Sequence, residues 1–313
     1  MRFLLTGVGG PAGSALASQL STRGHTVVGA DVVPIENTAL ESCHLVPFAA
    51  DDDYLPRLGE LLRDHRIDVL IPSVSEELES VAVAKDTLGA HVVVGPPAAV
   101  AVAADKLTTM HCLEAAGVPI PWFGLPSEFA DPAEAIAAAG GPIVTKPRRS
   151  RGGRGVHVLD LADATSAQGR EHWSHLDDTV VLQRFAPGPE YAPVLFRSPG
   201  NPEVDLCVVL AKTALREGRV GNAVGVARVA VGDPQGAQVA DVAARAVLAA
   251  GLTGPVDIDV RMLDDGSPVV LEINARFGAN SAAAPELLGT MLDHVTSTAA
   301  ATGSATASAS VGA

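Results

Sequence analysis

The chain has 313 residues, 47% hydrophobic and 19% charged, with a formal net charge of −14. That is a globular composition with room for more than one domain, and its acidity argues against non-specific binding to nucleic acid or to an anionic membrane surface. Three widely spaced cysteines, no leader-like character in MRFLLTGVGG and no unbroken apolar run of about 20 residues lead us to expect a cytoplasmic, disulfide-free, soluble protein.

Arg2–Leu5 reads as a strand, followed by the glycine-rich loop Thr6–Gly13, an amphipathic helix to about Arg23 and a strand Thr26–Ala30 that ends at Asp31. This is the opening of a nucleotide-binding βαβ unit, in which glycines let the helix start close to the sheet. A short-chain dehydrogenase would share that opening, with Asp31 on a ribose, but it also needs a Tyr followed four residues later by Lys. The tyrosines are Tyr54 and Tyr191, and Leu58 and Leu195 stand at the fourth position after them, so that reading is disfavoured. A helix over Tyr54–His65, a strand Asp68–Pro72, a helix beginning near Ser75 and a strand His91–Val94 complete an alternation that implies a parallel sheet. Glu76 and Glu77 either complement that helix's dipole or, either of them, face a substrate at the strand-to-helix turn.

Pro96-Pro97 marks a boundary. A helix over Asp105–Ala116 carries Lys106 in its first turn, and the strand containing Val144 and Thr145 ends in Lys146. The stretch Lys146–Arg154 follows, rich in Arg and Gly. Such a loop offers backbone N–H groups and cations to phosphates; the bland reading is a solvated loop, or one that binds RNA, and the acidity and lack of interleaved aromatics weigh against RNA. The strand Thr179–Phe185 leads into Pro187-Gly188-Pro189-Glu190-Tyr191, strands near Val204–Leu210 and Ala223–Val231 come next, and a long helix runs from about Pro234 to Ala250. Val256–Arg276 alternates apolar residues with acids around the turn Asp264-Asp265-Gly266-Ser267, the pattern of a β-hairpin. Glu272 and Asn274 share a face of its second strand, and pairing can bring Asp259 beside them; three oxygen ligands suit a hard cation such as Mg²⁺ that also holds a nucleotide's phosphates. A short helix over Ala282–Leu288 follows. From Thr296 to Ala313 only Ala, Ser, Thr, Gly and Val occur, a composition that predicts disorder. His172 and His175, three apart with no third ligand, read as surface residues.

The order of these parts resembles the ATP-grasp superfamily over roughly residues 1–295. Within it the chain is similar to the branch of the carbamoyl-phosphate synthase large subunit and biotin carboxylase, and to D-alanine–D-alanine ligase. The pieces that carry the likeness are the Lys106 helix, the strand ending in Lys146, the glycine loop, Gln183 followed by Gly188, Glu190 and Tyr191, and Asp259 with Glu272, Asn274 and Arg276. The resemblance implies an α/β and α+β architecture: a Rossmann-like N-terminal domain (1–96), a lid subdomain with its linker helix (97–185), a C-terminal subdomain with the metal site (186–295), and the tail (296–313). It implies that Lys106 and Lys146 hold phosphates, with Lys146 also catalytic, and that Ser150, Gly152, Gly153 and Gly155 form the closing loop. Gln183, Arg184, Phe185 and Ala186 would be the adenine-reading hinge, and Glu190 the ribose ligand. Asp259, Glu272 and Asn274 would bind two Mg²⁺ ions, with Mn²⁺ a substitute, and Arg276 would steady an acyl phosphate. The loop is Arg-rich where the family is rich in Gly and Ser, and Gln183 stands where Glu is common.

The expected activity is therefore ATP-dependent joining of a small-molecule carboxylate to an amine through an acyl phosphate, releasing ADP and phosphate. The alternatives are a small-molecule kinase on the same ATP site and a nucleotide sensor. Arg228, Arg261, Asn280 and Ser281 would line the substrate end if the hairpin forms one wall of it. Partners would be small molecules, not nucleic acid or membrane, and a homodimer is compatible with the sequence.

Overall fold

The N-terminal sheet grows by parallel pairing around its first strand. β1 (Arg2–Thr6), α1 (Pro11–Thr22), β2 (Thr26–Asp31), β3 (Ser42–Leu45), α2 (Tyr54–Asp64), β4 (Val69–Ile71), α3 (Leu78–Ala84) and β5 (His91–Val92) give the strand order β3-β2-β1-β4-β5, parallel throughout. A Cβ on Gly13 would lie 2.3 Å from the Gly7 carbonyl oxygen, so glycine there is what lets α1 sit against the loop. Asp31 does not reach outward: its Oδ2 accepts from the Gly9 amide at 2.9 Å. This is the computed structural model of the chain, which describes residues 1–150, 152–215 and 223–309.

Two helices, α4 (Pro97–Ala104) and α5 (Lys106–Ala115), lead to the second sheet. It is built from β6 (Phe123–Gly124), α6 (Pro132–Ala139), β7 (Ile143–Pro147), β8 (His157–Leu159), α7 (Leu161–Thr165), α8 (Ala167–Ser174) and β9 (Val180–Arg184), in the antiparallel order β6-β9-β7-β8. Ile136, Ile143, Leu159 and Leu182 give it a core of its own. His172 is not a free surface residue: its ring lies 4.6 Å from that of His157, and Nε2 is 3.2 Å from Thr145 Oγ1. His175 is exposed, as expected.

The third sheet holds β10 (Glu190–Tyr191), β11 (Val194–Arg197), β12 (Leu206–Val208), β13 (Leu210–Leu215) and β14 (Ala223–Arg228). After α9 (Pro234–Ala249) come the hairpin strands β15 (Gly254–Met262) and β16 (Pro268–Asn274). Its order is β12-β11-β15-β10-β13-β14, with β16 paired to β15. The hairpin forms as its alternation demands. Val256, Ile258, Val260 and Met262 turn toward α9 and pack on Val239, Val242, Ala243 and Val247, while the residues between them face the other way. After a short 3-10 turn, α10 spans Pro285–Ala309, far longer than the helix expected over Ala282–Leu288. Thr296, where disorder was expected to begin, lies within this helix, and 310–313 lie outside the described residues. Alanine's high helix propensity continues a helix already anchored by Leu287, Leu288 and Met291. Those side chains share one core with Phe3, Leu5, Leu16 and Phe196, so the first and third sheets are packed through common apolar contacts.

Candidate active site

A cavity lies between the second and third sheets, and most of the side chains expected to act together meet there. Lys106, Lys146, Ser150, Gly152, Gly153, Gln183, Arg184, Phe185, Ala186, Glu190, Asp259 and Glu272 all line it. Gly155 does not, and neither do Asn274 and Arg276, which sit just beyond on the end of β16 and after it.

Each lysine reaches this place for a local reason. Lys106 opens α5, whose N-cap Asp105 accepts from the amides of Leu107 at 3.0 Å and Thr108 at 3.3 Å. Its Nζ donates to the Ser150 carbonyl at 3.0 Å and stands 3.4 Å from Glu272. Lys146 projects from β7 and donates to Gln183 Oε1 at 2.6 Å. Burial lowers its pKa, against the attraction of Glu272. Gln183 is thus engaged by Lys146, and its Nε2 contacts Met110 Sδ and the Leu271 carbonyl, so its side chain is turned away from the role of base-reading amide.

The most consequential residue was absent from the sequence reading. The side chain of Lys212, on β13, is buried, and its Nζ lies 2.5 Å from Glu190 Oε1 and 2.6 Å from Asp259 Oδ1. Burial would lower its pKa, but the two carboxylates raise it above its ordinary value. The available signal was a lone cation in the alternating strand Leu210–Leu215. Asp257 was missed too; it shares the face of Asp259, and its pKa is raised by burial.

Asp259 and Glu272 are direct cross-strand partners of the hairpin, with a bulge just after them. Burial, with Glu272, Glu190 and Asp257 nearby, pushes the Asp259 carboxyl up to about 7 despite Lys212. Burial would raise Glu272 as well, yet Lys106, Lys146 and Lys212 hold it down to about 2. Crowded buried acids of this kind are a setting that further positive charge stabilises. Among the described residues no group of three or more His, Cys, Asp and Glu is arranged to hold a metal ion. A cation here would rest on two carboxylates and the Asn274 amide, all oxygen donors, and would need more ligands from a bound phosphate. That is how Mg²⁺ is held, so the residues fit it.

Arg276 Nη2 donates to Asn274 Oδ1 at 3.1 Å, Nη1 stands 4.0 Å from Asp257, and Nε reaches Ser75 Oγ at 3.4 Å. The Ser75 turn thereby meets the end of β16, and Glu76 lies exposed beside it. The arginine-rich loop is tied to protein carboxylates. Arg148 makes a fork to Asp105, at 3.1 and 2.7 Å, and Arg149 pairs with Glu79 at the start of α3. The Arg148 fork and backbone amides hold the Asp105 carboxyl below its usual range, although burial opposes this. Arg151 lies outside the described residues.

The remaining candidates are dispersed. Arg228 pairs with Glu286 on the surface at 2.8 Å. Ser281 is buried and donates to the Gly278 carbonyl at 2.7 Å, and Asn280 stands in the same 3-10 turn. Arg261 does line the cavity, but at the end marked by Phe185 and Glu190, away from Arg276.

A parallel α/β layer followed by two sheets that enclose lysines and carboxylates defines the ATP-grasp architecture. The family model described as an ATP-grasp domain matches residues 103–280, more than half of the chain, and the protein belongs to that family. It is 29% identical over 187 residues to a D-alanine–D-alanine ligase of Synechococcus sp., covering 57% of this chain and 56% of that one. The chain spans about half the length, or less, of the first curated relatives it matches. Its fold is similar to that of an L-amino acid ligase from Bacillus licheniformis, with a TM-score of 0.66 at 19% identity over 90% of this chain and 68% of that one. The biotin carboxylase domain of Hydrogenobacter thermophilus 2-oxoglutarate carboxylase, solved with MgADP, ADP and bicarbonate, gives a TM-score of 0.66 at 15% identity, covering 89% of this chain and 65% of that one. Both likenesses concern the fold. Among the described residues no helix is long and apolar enough to cross a membrane.

Proposed function

We propose that the chain is an ATP-dependent ligase that activates a small carboxylate as its acyl phosphate and passes the acyl group to an amine. The observation that carries this reading is the convergence of Lys106, Lys146 and Lys212 on a cavity that Asp259 and Glu272 face. In the proposed division, residues 1–96 form the N-terminal domain, 97–185 the lid subdomain and 186–295 the C-terminal subdomain.

ATP enters as substrate, its triphosphate neutralised by the three lysines and its base against Phe185 and Ala186. Asp259, Glu272 and Asn274 would hold Mg²⁺, which supplies charge neutralisation of the β- and γ-phosphate oxygens. A carboxylate oxygen attacks the γ-phosphorus; the new O–P bond forms as the bond to the β,γ-bridging oxygen breaks, and ADP departs. The amine nitrogen then adds to the acyl carbon, phosphate leaves with the C–O electrons, and the nitrogen loses a proton. Arg276, held by Asn274 and Ser75, stabilises the oxyanion that develops. The Arg148 and Arg149 contacts hold the loop over the site and exclude water, so the acyl phosphate meets the amine first.

The test is phosphate release from ATP and Mg²⁺ across pools of carboxylates with and without amines, with Glu272→Gln as the blank and hydroxylamine to trap the activated acyl group. Carboxylate-dependent release with hydroxamate formation is expected. ATP consumption that yields a phosphorylated alcohol and no hydroxamate would instead establish a kinase.

A further inference from the structure

The geometry points to Arg261 as the positioning residue of the nucleoside end: it fixes Glu190 to receive the ribose hydroxyls and forms the wall beside Phe185. This rests on the ATP reading above and adds to it a determinant of sugar recognition.

Arg261 is the direct cross-strand partner of Glu190, on β15 and β10. It is buried, and its Nη1 lies 3.7 Å from Glu190 Oε2. Its Nε donates to the Gly188 carbonyl at 3.1 Å, and its guanidinium carbon stands 4.8 Å from the centre of the Phe185 ring. A planar cation fixed on a carbonyl, a carboxylate and an aromatic face has little rotational freedom. Glu190 is therefore gripped from two sides, Oε1 by Lys212 at 2.5 Å and Oε2 by Arg261. The two cations have different neighbours: Lys212 links Glu190 to Asp259, toward the phosphates, whereas Arg261 links it to Phe185 and Gly188, toward the base. Removing Lys212 would disturb both ends of the nucleotide, but removing Arg261 would free Glu190 and leave the phosphate end in place. The alternation of β15 sets this division, because Asp259 and Arg261 are successive residues on one face.

Binding of ADP, 2′-deoxy-ADP and inorganic pyrophosphate, each with Mg²⁺, is measured by calorimetry on the full chain and on Arg261→Met. The parent is expected to prefer ADP over the deoxy compound on the order of ten-fold, the value of a charged hydrogen bond. Arg261→Met is expected to bring that ratio close to one and leave pyrophosphate affinity unchanged. Glu190→Gln should lose the same ratio, and the double variant should lose no more than either alone. If Arg261→Met does not fold, Arg261→Gln, which removes the charge but keeps a polar side chain, carries the same measurement. A variant that keeps the parental ratio, whatever its melting temperature, overturns the assignment. A parent that binds pyrophosphate but not ADP overturns the ATP reading and this assignment with it.

Discussion

Lys212→Met tests the electrostatic heart of the site. The substitution keeps the length of the side chain but leaves Glu190 and Asp259, now 2.5 and 2.6 Å from the ammonium, without it. Breaking a buried ion pair from one side destabilises by about 3–5 kcal/mol. Some of that is avoided, because Asp259, already pushed up to about 7, can take a proton; each pH unit of such a shift is about 1.4 kcal/mol. We therefore expect a loss near the lower bound, about 3 kcal/mol, and a fall in melting temperature of roughly 6–10 °C for a chain of this size. Mg²⁺ should act unequally on the two proteins. In the parent it competes with the ammonium for Asp259, so the ion alone should shift the melting temperature little. In Lys212→Met it would meet uncompensated carboxylates, and at about 100 times its dissociation constant it should restore about 2.7 kcal/mol. Differential scanning fluorimetry with and without MgCl₂ reads both effects. A variant that melts with the parent, or gains no more from Mg²⁺ than the parent does, would refute the claim that Lys212 provides the counter-charge.

Three other outcomes follow from separate contacts. Gly188→Ala would place a Cβ 2.7 Å from the Met262 carbonyl oxygen, and we expect a loss of about 1–3 kcal/mol in urea unfolding. Asp105→Ala removes the cap of α5 and the partner of the Arg148 fork; the cap alone is about 1 kcal/mol, and the KM for ATP should rise because Lys106 begins that helix. The His172 imidazole is lowered from 6.5, first by burial and then by His157 and His175. The unfolded chain thus binds a proton more readily than the folded one, so this contribution to stability is present above pH 6.5 and is lost on acidification below it. His172→Gln should flatten that part of the melting-temperature profile between pH 7 and pH 5.5.

What the sequence revealed, it revealed through local period. The hairpin of Val256–Arg276 was legible because the core face and the site face alternate along β15, and its turn residues are strong. Lys106 and Lys146 were legible from their positions at a helix start and near a strand end. Lys212 was not, since its meaning lies in partners 22 and 47 residues away that only tertiary pairing brings together. Arg261 was recognised as a lining residue but assigned to the other end of the cavity, because period fixes the face of a strand and not what stands at each end of it. The engagement of Arg148 and Arg149 by Asp105 and Glu79 was likewise invisible: a run of cations announces charge, and the folded chain decides which acids answer it.

The core shared by α1, β1, β11 and α10 has a consequence for how this protein can be taken apart. The second sheet closes on its own apolar cluster, whereas the first and third are fused through Phe3, Leu16, Phe196 and Leu287. Cutting the chain at the Pro96-Pro97 boundary would separate two halves of one interior, baring apolar faces on each. The natural graft points for exchanging parts between proteins of this family therefore lie around residues 123–184, where one jaw can be lifted out whole, and a transplanted N-terminal layer must bring the last helix with it.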